Sequence, residues 1–284
     1  MKRYGRLLLS LLGLISLLLL HTTGARSETG DTHAAEHDDI FKLQKYKPMY
    51  FIFAYDRTLP DRDPSFQTWE MQFQLSFKIP IVPLPFANGR LAFGYTQISY
   101  WQIFNVDNSS AFRETNYAPE VMAGFENNAA SLGLDKVRST IGLLHESNGM
   151  GGPGSRSWNR IYGEVKLDRD SFTLGVKPWY RIPERAKASP TDAKGDDNPD
   201  IERYLGYGEL TAELREGPFT ARLTGRNNLR ESPNYGSLQL DITFLMKNDA
   251  QLYFQAFDGY GESLLDYNRH DRRFGLGFTI GALP

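Results

Sequence analysis

The sequence predicts an all-β fold, a transmembrane antiparallel β-barrel of about twelve strands. Three observations carry that reading: apolar and polar residues alternate repeatedly along the chain, an apolar segment of exporting type stands at the N-terminus, and cysteine is absent. Successive strand side chains point to opposite faces, so a two-residue period gives one apolar and one polar face. Many of the alternating segments approach the roughly 9–11 residues of a tilted membrane strand, longer than is usual in soluble sheets.

The N-terminal segment fits export. Lys2, Arg3 and Arg6 precede the run Leu7 to Leu20, and Thr23-Gly24-Ala25 offers small residues for cleavage. That run is short for a spanning helix of about 20 residues, so residues 1–25 read as a signal peptide. Residues 26–45 read as a polar N-terminal tail, in which His33 and His37 lie among acidic residues with nothing apolar to organise them as metal ligands. The barrel is assigned to residues 46–284. Without cysteine there are no disulfides and no thiolate metal sites, which is compatible with a bacterial envelope. A net charge of −2 leaves no basic footprint for nucleic acid.

The clearest strand is Glu70 to Ile81. Met71, Phe73, Leu75, Phe77, Ile79 and Ile81 share one face, and Glu70, Gln72, Gln74, Ser76 and Lys78 share the other. The same pattern recurs around Leu91–Tyr95, Val137–Leu143, Ile161–Leu167, Phe172–Val176, Gly208–Leu214, Phe219–Leu223, Leu238–Phe244 and Phe274–Ile280. The exact number of strands turns on residues 118–125 and 250–258. Aromatic pairs near segment ends, Tyr100-Trp101 and Trp179-Tyr180, suit the interfacial girdles of a membrane barrel. Short connections at 168–171, 215–218 and 247–249 alternate with long ones at roughly 57–69, 104–117, 183–203, 227–236 and 258–272. Short turns on the periplasmic side and long loops outside produce that alternation. Residues 183–200, rich in Pro, Lys, Asp and Gly, read as the most mobile of the loops.

The chemistry concentrates between Ile141 and Tyr162. His145 and Ser147 continue the outward row Val137, Ser139, Ile141, Leu143, and Asn159 shares the parity of Ile161, Val165 and Leu167. All three therefore face lipid at the outer-leaflet end of the barrel. A base, a nucleophile and an orienting amide in this order suit acyl transfer: His145 takes the Ser147 proton, and Asn159 fixes the imidazole tautomer. The backbone N–H at or after Ser147 offers one oxyanion donor, and a further donor or cation is needed. The loop Gly149 to Ser155 presents carbonyls and a hydroxyl, ligands that suit a hard cation such as Ca²⁺. The same residues also admit a plain interfacial polar patch on a channel or adhesin, because the cost of polar groups falls toward the membrane edge.

His145-Glu146-Ser147-Asn148-Gly149, followed by Ser155-Arg156-Ser157-Trp158-Asn159-Arg160, resembles the active-site segment of the outer membrane phospholipase A family. Phe112 to Tyr117 and Gly259 to Asn268 resemble that family too, and the similarity spans about residues 45–280. The resemblance implies a twelve-stranded barrel in the bacterial outer membrane, active as a Ca²⁺-dependent homodimer. It implies hydrolysis of the acyl esters of phospholipids and lysophospholipids, with A1 and A2 activity. It assigns His145, Ser147 and Asn159 as the catalytic triad. It places Ca²⁺ on the Ser155 hydroxyl, the Met150 carbonyl and, across the dimer, the Ser109 carbonyl. Gln97 matches a polar residue of the family's dimer interface. Gly152 stands where members that bind a further Ca²⁺ as monomers carry an acidic residue.

Overall fold

A computed structural model describes residues 40–189, 192, 194–246 and 250–280. The signal peptide, His33 and His37 of the tail, and the 247–249 turn lie outside the described residues. Thirteen strands form one antiparallel sheet: β1 (Gln44–Lys45), β2 (Met49–Asp56), β3 (Trp69–Pro83), β4 (Gly89–Trp101), β5 (Phe112–Asn128), β6 (Lys136–Ser147), β7 (Ser157–Arg169), β8 (Phe172–Arg181), β9 (Gly208–Glu216), β10 (Phe219–Asn227), β11 (Gly236–Leu245), β12 (Ala250–Tyr260) and β13 (His270–Ile280). From β2 onward each strand pairs with the next, and β13 pairs back onto β2, so twelve strands close a barrel. The two-residue β1 adds to the edge of β3 at Phe77 and Lys78, just past the stretch of β3 that β2 occupies. Closure leaves no open edge, as a wall in hydrocarbon requires.

The alternation fixes which face is which. Along β13, Phe274, Leu276, Phe278 and Ile280 are exposed, whereas Asp271, Arg273 and Thr279 are buried. Glu70, Gln72, Gln74 and Ser76 of β3 are likewise buried, and Leu75 is exposed. A soluble sheet does the opposite. Apolar outside and polar inside is the pattern of a barrel solvated by lipid.

The long connections gather at one rim, as the sequence predicts. One boundary differs. Residues 112–117, read from sequence as part of a long loop, belong to β5, which continues unbroken through 118–125. Arg113, Glu114 and Asn116 look like loop residues but are buried in the lumen. A register shift in β4 at Tyr100/Trp101 also breaks the simple alternation there. Residues 250–258 form β12.

At the rim carrying the long loops, the lumen is filled by ion pairs. Arg113 donates to both carboxylate oxygens of Glu70, at 3.1 and 2.9 Å, and to Asp266 at 3.1 Å. Arg273 donates to Glu70 at 2.7 Å and pairs with Glu262 at 2.9 Å. The β12–β13 loop folds inward over this network. Its Leu264 and Leu265 N–H groups donate to Asn116 and Glu114, and the Tyr100 hydroxyl donates to the Glu262 carbonyl at 2.6 Å. Deeper in the lumen lies a cavity of about 350 Å³ lined by Glu164, Lys166, Glu213, Arg222 and Asp241 among others.

Removing one member of a buried ionic cluster strands its partners. Arg113→Ala should cost about 3–5 kcal/mol in reversible unfolding from detergent or lipid. Arg169→Ala, at an exposed pair with Asp170, should cost about 0–1 kcal/mol. Equal effects of the two substitutions would remove the argument for the network.

Candidate active site

β6 and β7 form a hairpin whose register places His145 opposite Asn159 and Ser147 opposite Ser157. That pairing converts a separation in sequence into a contact: His145 Nδ1 and Asn159 Oδ1 lie 2.9 Å apart. Ser147, two residues beyond His145 on the same strand face, is half-buried, as are His145 and Asn159. Its hydroxyl makes no hydrogen bond among the described residues. The exposed Ile141, Leu143 and Ile161 continue the same outward rows. The intervening residues Leu144, Glu146, Arg160 and Tyr162 point the other way, and Leu144, Glu146 and Arg160 line the luminal cavity. The three candidate residues are therefore on the outside of the wall.

The ladder to the neighbouring strand is broken beside this patch. β5 and β6 pair at Tyr117–Ser147 and again at Glu120–Leu144, but not at Ala118 and Pro119, which lie between. Pro119 has no N–H to offer, so the ladder is interrupted beside His145 and Glu146.

The lumen side forms a stiff backing. Trp158 is fully buried and donates through its ring N–H to Glu146 at 3.0 Å. The Arg160 guanidinium lies 3.7 Å from the centre of the Trp158 ring and pairs with Glu146. Trp158 meets Trp179 edge to face at 6.1 Å. Gly142 is needed in this packing, since a Cβ there would stand 2.5 Å from the Tyr162 ring. The Tyr162 hydroxyl is held by Glu120 at 2.6 Å.

Beyond Ser147 the loop is organised by Asn148, which is 4% exposed. Its side-chain oxygen accepts from the N–H groups of Met150 and Arg156, and its amide donates to the Gly154 carbonyl at 2.9 Å. The backbone N–H of Asn148 donates to the Arg156 carbonyl at 3.0 Å. The N–H directly after Ser147 is thus engaged within the loop, which removes it as an oxyanion donor. The Gly149 N–H, next along in a left-handed turn at φ 65°, has no partner among the described residues.

Of the residues given to calcium, Met150 and Ser155 lie in this loop and Ser109 does not. Ser109 is exposed in the β4–β5 connection, left-handed at φ 52°, and its carbonyl accepts no backbone hydrogen bond among the described residues. The Ser155 hydroxyl donates to Asp197 at 2.9 Å, and the Ser157 hydroxyl donates to the same carboxylate oxygen at 3.1 Å. Burial alone would raise the Asp197 carboxyl. Hydrogen bonds from Lys187, Ser155 and Ser157 outweigh it and hold the group below its ordinary value. Hydroxyl, carbonyl and carboxylate oxygens are the donor set a hard divalent cation takes. Among the described residues, no group of three or more His, Asp or Glu side chains gathers as a metal site, so the oxygens of this loop that suit a cation are chiefly backbone and hydroxyl.

Gln97 lies on the outer face in a polar ladder, accepting from Tyr95 at 2.9 Å and donating to Ser99 at 3.0 Å. Sequence reasoning did not single out Asn148, Asp197 or Glu184. Glu184 accepts from the Asn159 side-chain amide at 3.1 Å. The last two sit in the loop read as mobile, whose described part is anchored on the site. Ile182 N–H donates to the Asn159 carbonyl at 2.8 Å, Asn198 accepts from Ser157 N–H at 3.0 Å, and Arg181 pairs with Asp196. Only three-dimensional pairing with β7 reveals these contacts.

The family profile described as Phospholipase A1 matches residues 27–280. Phospholipase A1 of Escherichia coli K12 is 34% identical over 256 residues, covering 87% of this chain and 84% of that protein. Phospholipase A1 of Salmonella typhimurium is 35% identical over the same shares. Among solved structures, outer membrane phospholipase A from Escherichia coli matches with a TM-score of 0.75 and 32% identity, over 85% of this chain and 95% of that one. The calcium-bound dimer of the Salmonella typhi outer membrane phospholipase matches with a TM-score of 0.75 and 34% identity, over 85% and 93%. The Escherichia coli protein has also been solved as an asparagine-to-alanine active-site variant, with a TM-score of 0.74 and 30% identity, over 94% and 98%. A profile that spans nearly the whole chain, together with relatives above 30% identity, shows that the chain belongs to the phospholipase A1 family.

Proposed function

We propose that this outer-membrane barrel is a calcium-dependent phospholipase that hydrolyses acyl esters of phospholipids and lysophospholipids with a Ser-His-Asn triad. The observation that carries the reading is the 2.9 Å contact between His145 Nδ1 and Asn159 Oδ1 on the lipid-facing wall, with Ser147 on the same face. An amide oxygen accepts but cannot donate, so it holds the imidazole proton on Nδ1 and leaves Nε2 free as a base. Ser147 Oγ attacks the ester carbonyl while His145 Nε2 takes its proton. The proton then passes to the leaving alcohol, and water releases the fatty acid by the same steps. The Gly149 N–H, free among the described residues, is the backbone donor best suited to the oxyanion.

Calcium fits the oxygen donors of this loop. Met150 and Ser155 would hold it, with Ser109 contributed by a second copy. When bound it supplies positive charge for the developing oxyanion. The solved relative that carries calcium is a dimer, and Ser109 lies outside the Met150–Ser155 loop within one chain, as a ligand offered across a dimer would. The outward Gln97 ladder supports the same interface. The half-buried site faces lipid on the outer wall, a placement that supports hydrolysis at both acyl positions, A1 and A2. The N-terminal residues 1–25 act as the export signal and residues 26–45 as a polar tail whose last two residues, Gln44 and Lys45, pair with β3.

Ser147→Ala should lower phospholipid hydrolysis in mixed micelles by about a thousandfold or more while the barrel keeps its β-sheet circular dichroism. Calcium-dependent hydrolysis persisting in that variant would take the nucleophile role from Ser147. Chelation should abolish wild-type activity and dissociate crosslinkable dimers, and Ser155→Ala should raise the calcium concentration for half-maximal activity about tenfold or more. A fully active monomer in the presence of chelator would remove both the cation and the dimer from this reading.

A further inference from the structure

Asn159 alone does not fix His145. A primary amide has two ends, and rotation by half a turn presents NH₂ instead of the oxygen to the ring. Facing that NH₂, His145 Nδ1 would accept, the imidazole proton would move to Nε2, and the nitrogen meant to deprotonate Ser147 would carry a proton already. Something has to choose the end. We propose that Glu184 is a positioning residue for the catalytic pair, fixing the Asn159 amide and, through it, the working tautomer of His145. This rests on the triad reading above.

The geometry supports that role at each link. Glu184 lies 3.1 Å from Asn159 Nδ2, and Asn159 Oδ1 lies 2.9 Å from His145 Nδ1. An ionised carboxylate only accepts, so it can pair with the NH₂ end and no other. The relay is thus directional, from carboxylate to amide to imidazole. The negative charge polarises the amide toward a more negative Oδ1, a better acceptor for the imidazolium that forms during attack. A carboxylate in place of Asn159 would expose a charge on the lipid-facing wall, which is costly. Glu184 instead sits beyond the end of β8, three residues past Arg181, in the loop at the rim. The Ile182 N–H bond to the Asn159 carbonyl, 2.8 Å long, continues the β7–β8 pairing and carries Glu184 to Asn159. Glu184 forms no salt bridge among the described residues, so no cation there competes for its oxygens.

The test is a kinetic double-mutant cycle on the full-length protein, folded in detergent, with mixed phospholipid micelles and saturating calcium. Asn159→Ala, Glu184→Ala and the double variant are compared with wild type. Glu184→Ala should lower kcat about tenfold with KM within about twofold. On the Asn159→Ala background the same substitution should cost no more than about twofold, because its route to His145 is already cut. Glu184→Gln, isosteric and less disruptive to the loop, keeps an acceptor oxygen without the charge and should fall between wild type and Glu184→Ala. Wild-type kcat in Glu184→Ala, or losses that multiply in the double variant, would overturn the proposal while leaving the triad intact. An Asn159→Ala variant as fast as wild type would instead remove the triad reading itself. A general loosening of the loop would raise KM and the calcium requirement in Glu184→Ala and Glu184→Gln alike, and that pattern also counts against the proposal.

Discussion

Everything in this molecule depends on a two-residue period imposed on a closed wall. In a barrel with no free edge, parity commits a residue to the lumen or to the lipid wherever the register runs unbroken. The β6–β7 register sets His145 against Asn159 and sends both outward, and it sends Glu146 and Arg160 inward by the same rule. The site and its backing are two faces of one hairpin. Inserting or deleting one residue in either strand would exchange them beyond that point.

The interior supplies the rigidity that an exposed site lacks. Arg113, Glu70, Arg273 and Glu262 cross-link strands that are far apart in sequence, and the β12–β13 loop caps them. Such clusters are costly to desolvate and costlier to break. They suit a lumen packed largely with polar and charged side chains. Close behind the site the packing changes character, to Trp158, Trp179, Tyr162 and Leu144. That layer packs directly behind the β6–β7 strands and so backs the candidate residues on their outer face.

The barrel was legible in sequence because the alternation is a property of single strands. The parity of His145, Ser147 and Asn159, and the outward orientation that follows, could be read without any knowledge of pairing. The contact between His145 and Asn159 required a hairpin register, which the Gly/Pro-rich loop suggested but did not fix. Arg113, Glu114 and Asn116 were hidden because charged residues in a strand facing a polar lumen look like a loop. The engagement of the Asn148 N–H was also out of reach, since it depends on how the loop folds back on Arg156. Asp197 and Glu184 lie in a segment whose composition resembles a free connector. Their partners Ser155, Ser157 and Asn159 come from another hairpin, and no periodicity links them.

The outward row of β6 has a kinetic consequence. A site on the bilayer-facing surface meets ester bonds as a two-dimensional density rather than as a dissolved concentration. Where ester lipids fill the leaflet, that density is nearly constant and far above what a soluble enzyme encounters, so scarcity of substrate does not throttle turnover there. Restraint has to come from the enzyme, through whether its catalytic parts are assembled, or from the membrane, through which lipids lie against that strand. With the proposed reactive groups on the outer wall, control of the reaction rests on which lipids reach that strand and on whether the catalytic parts are assembled.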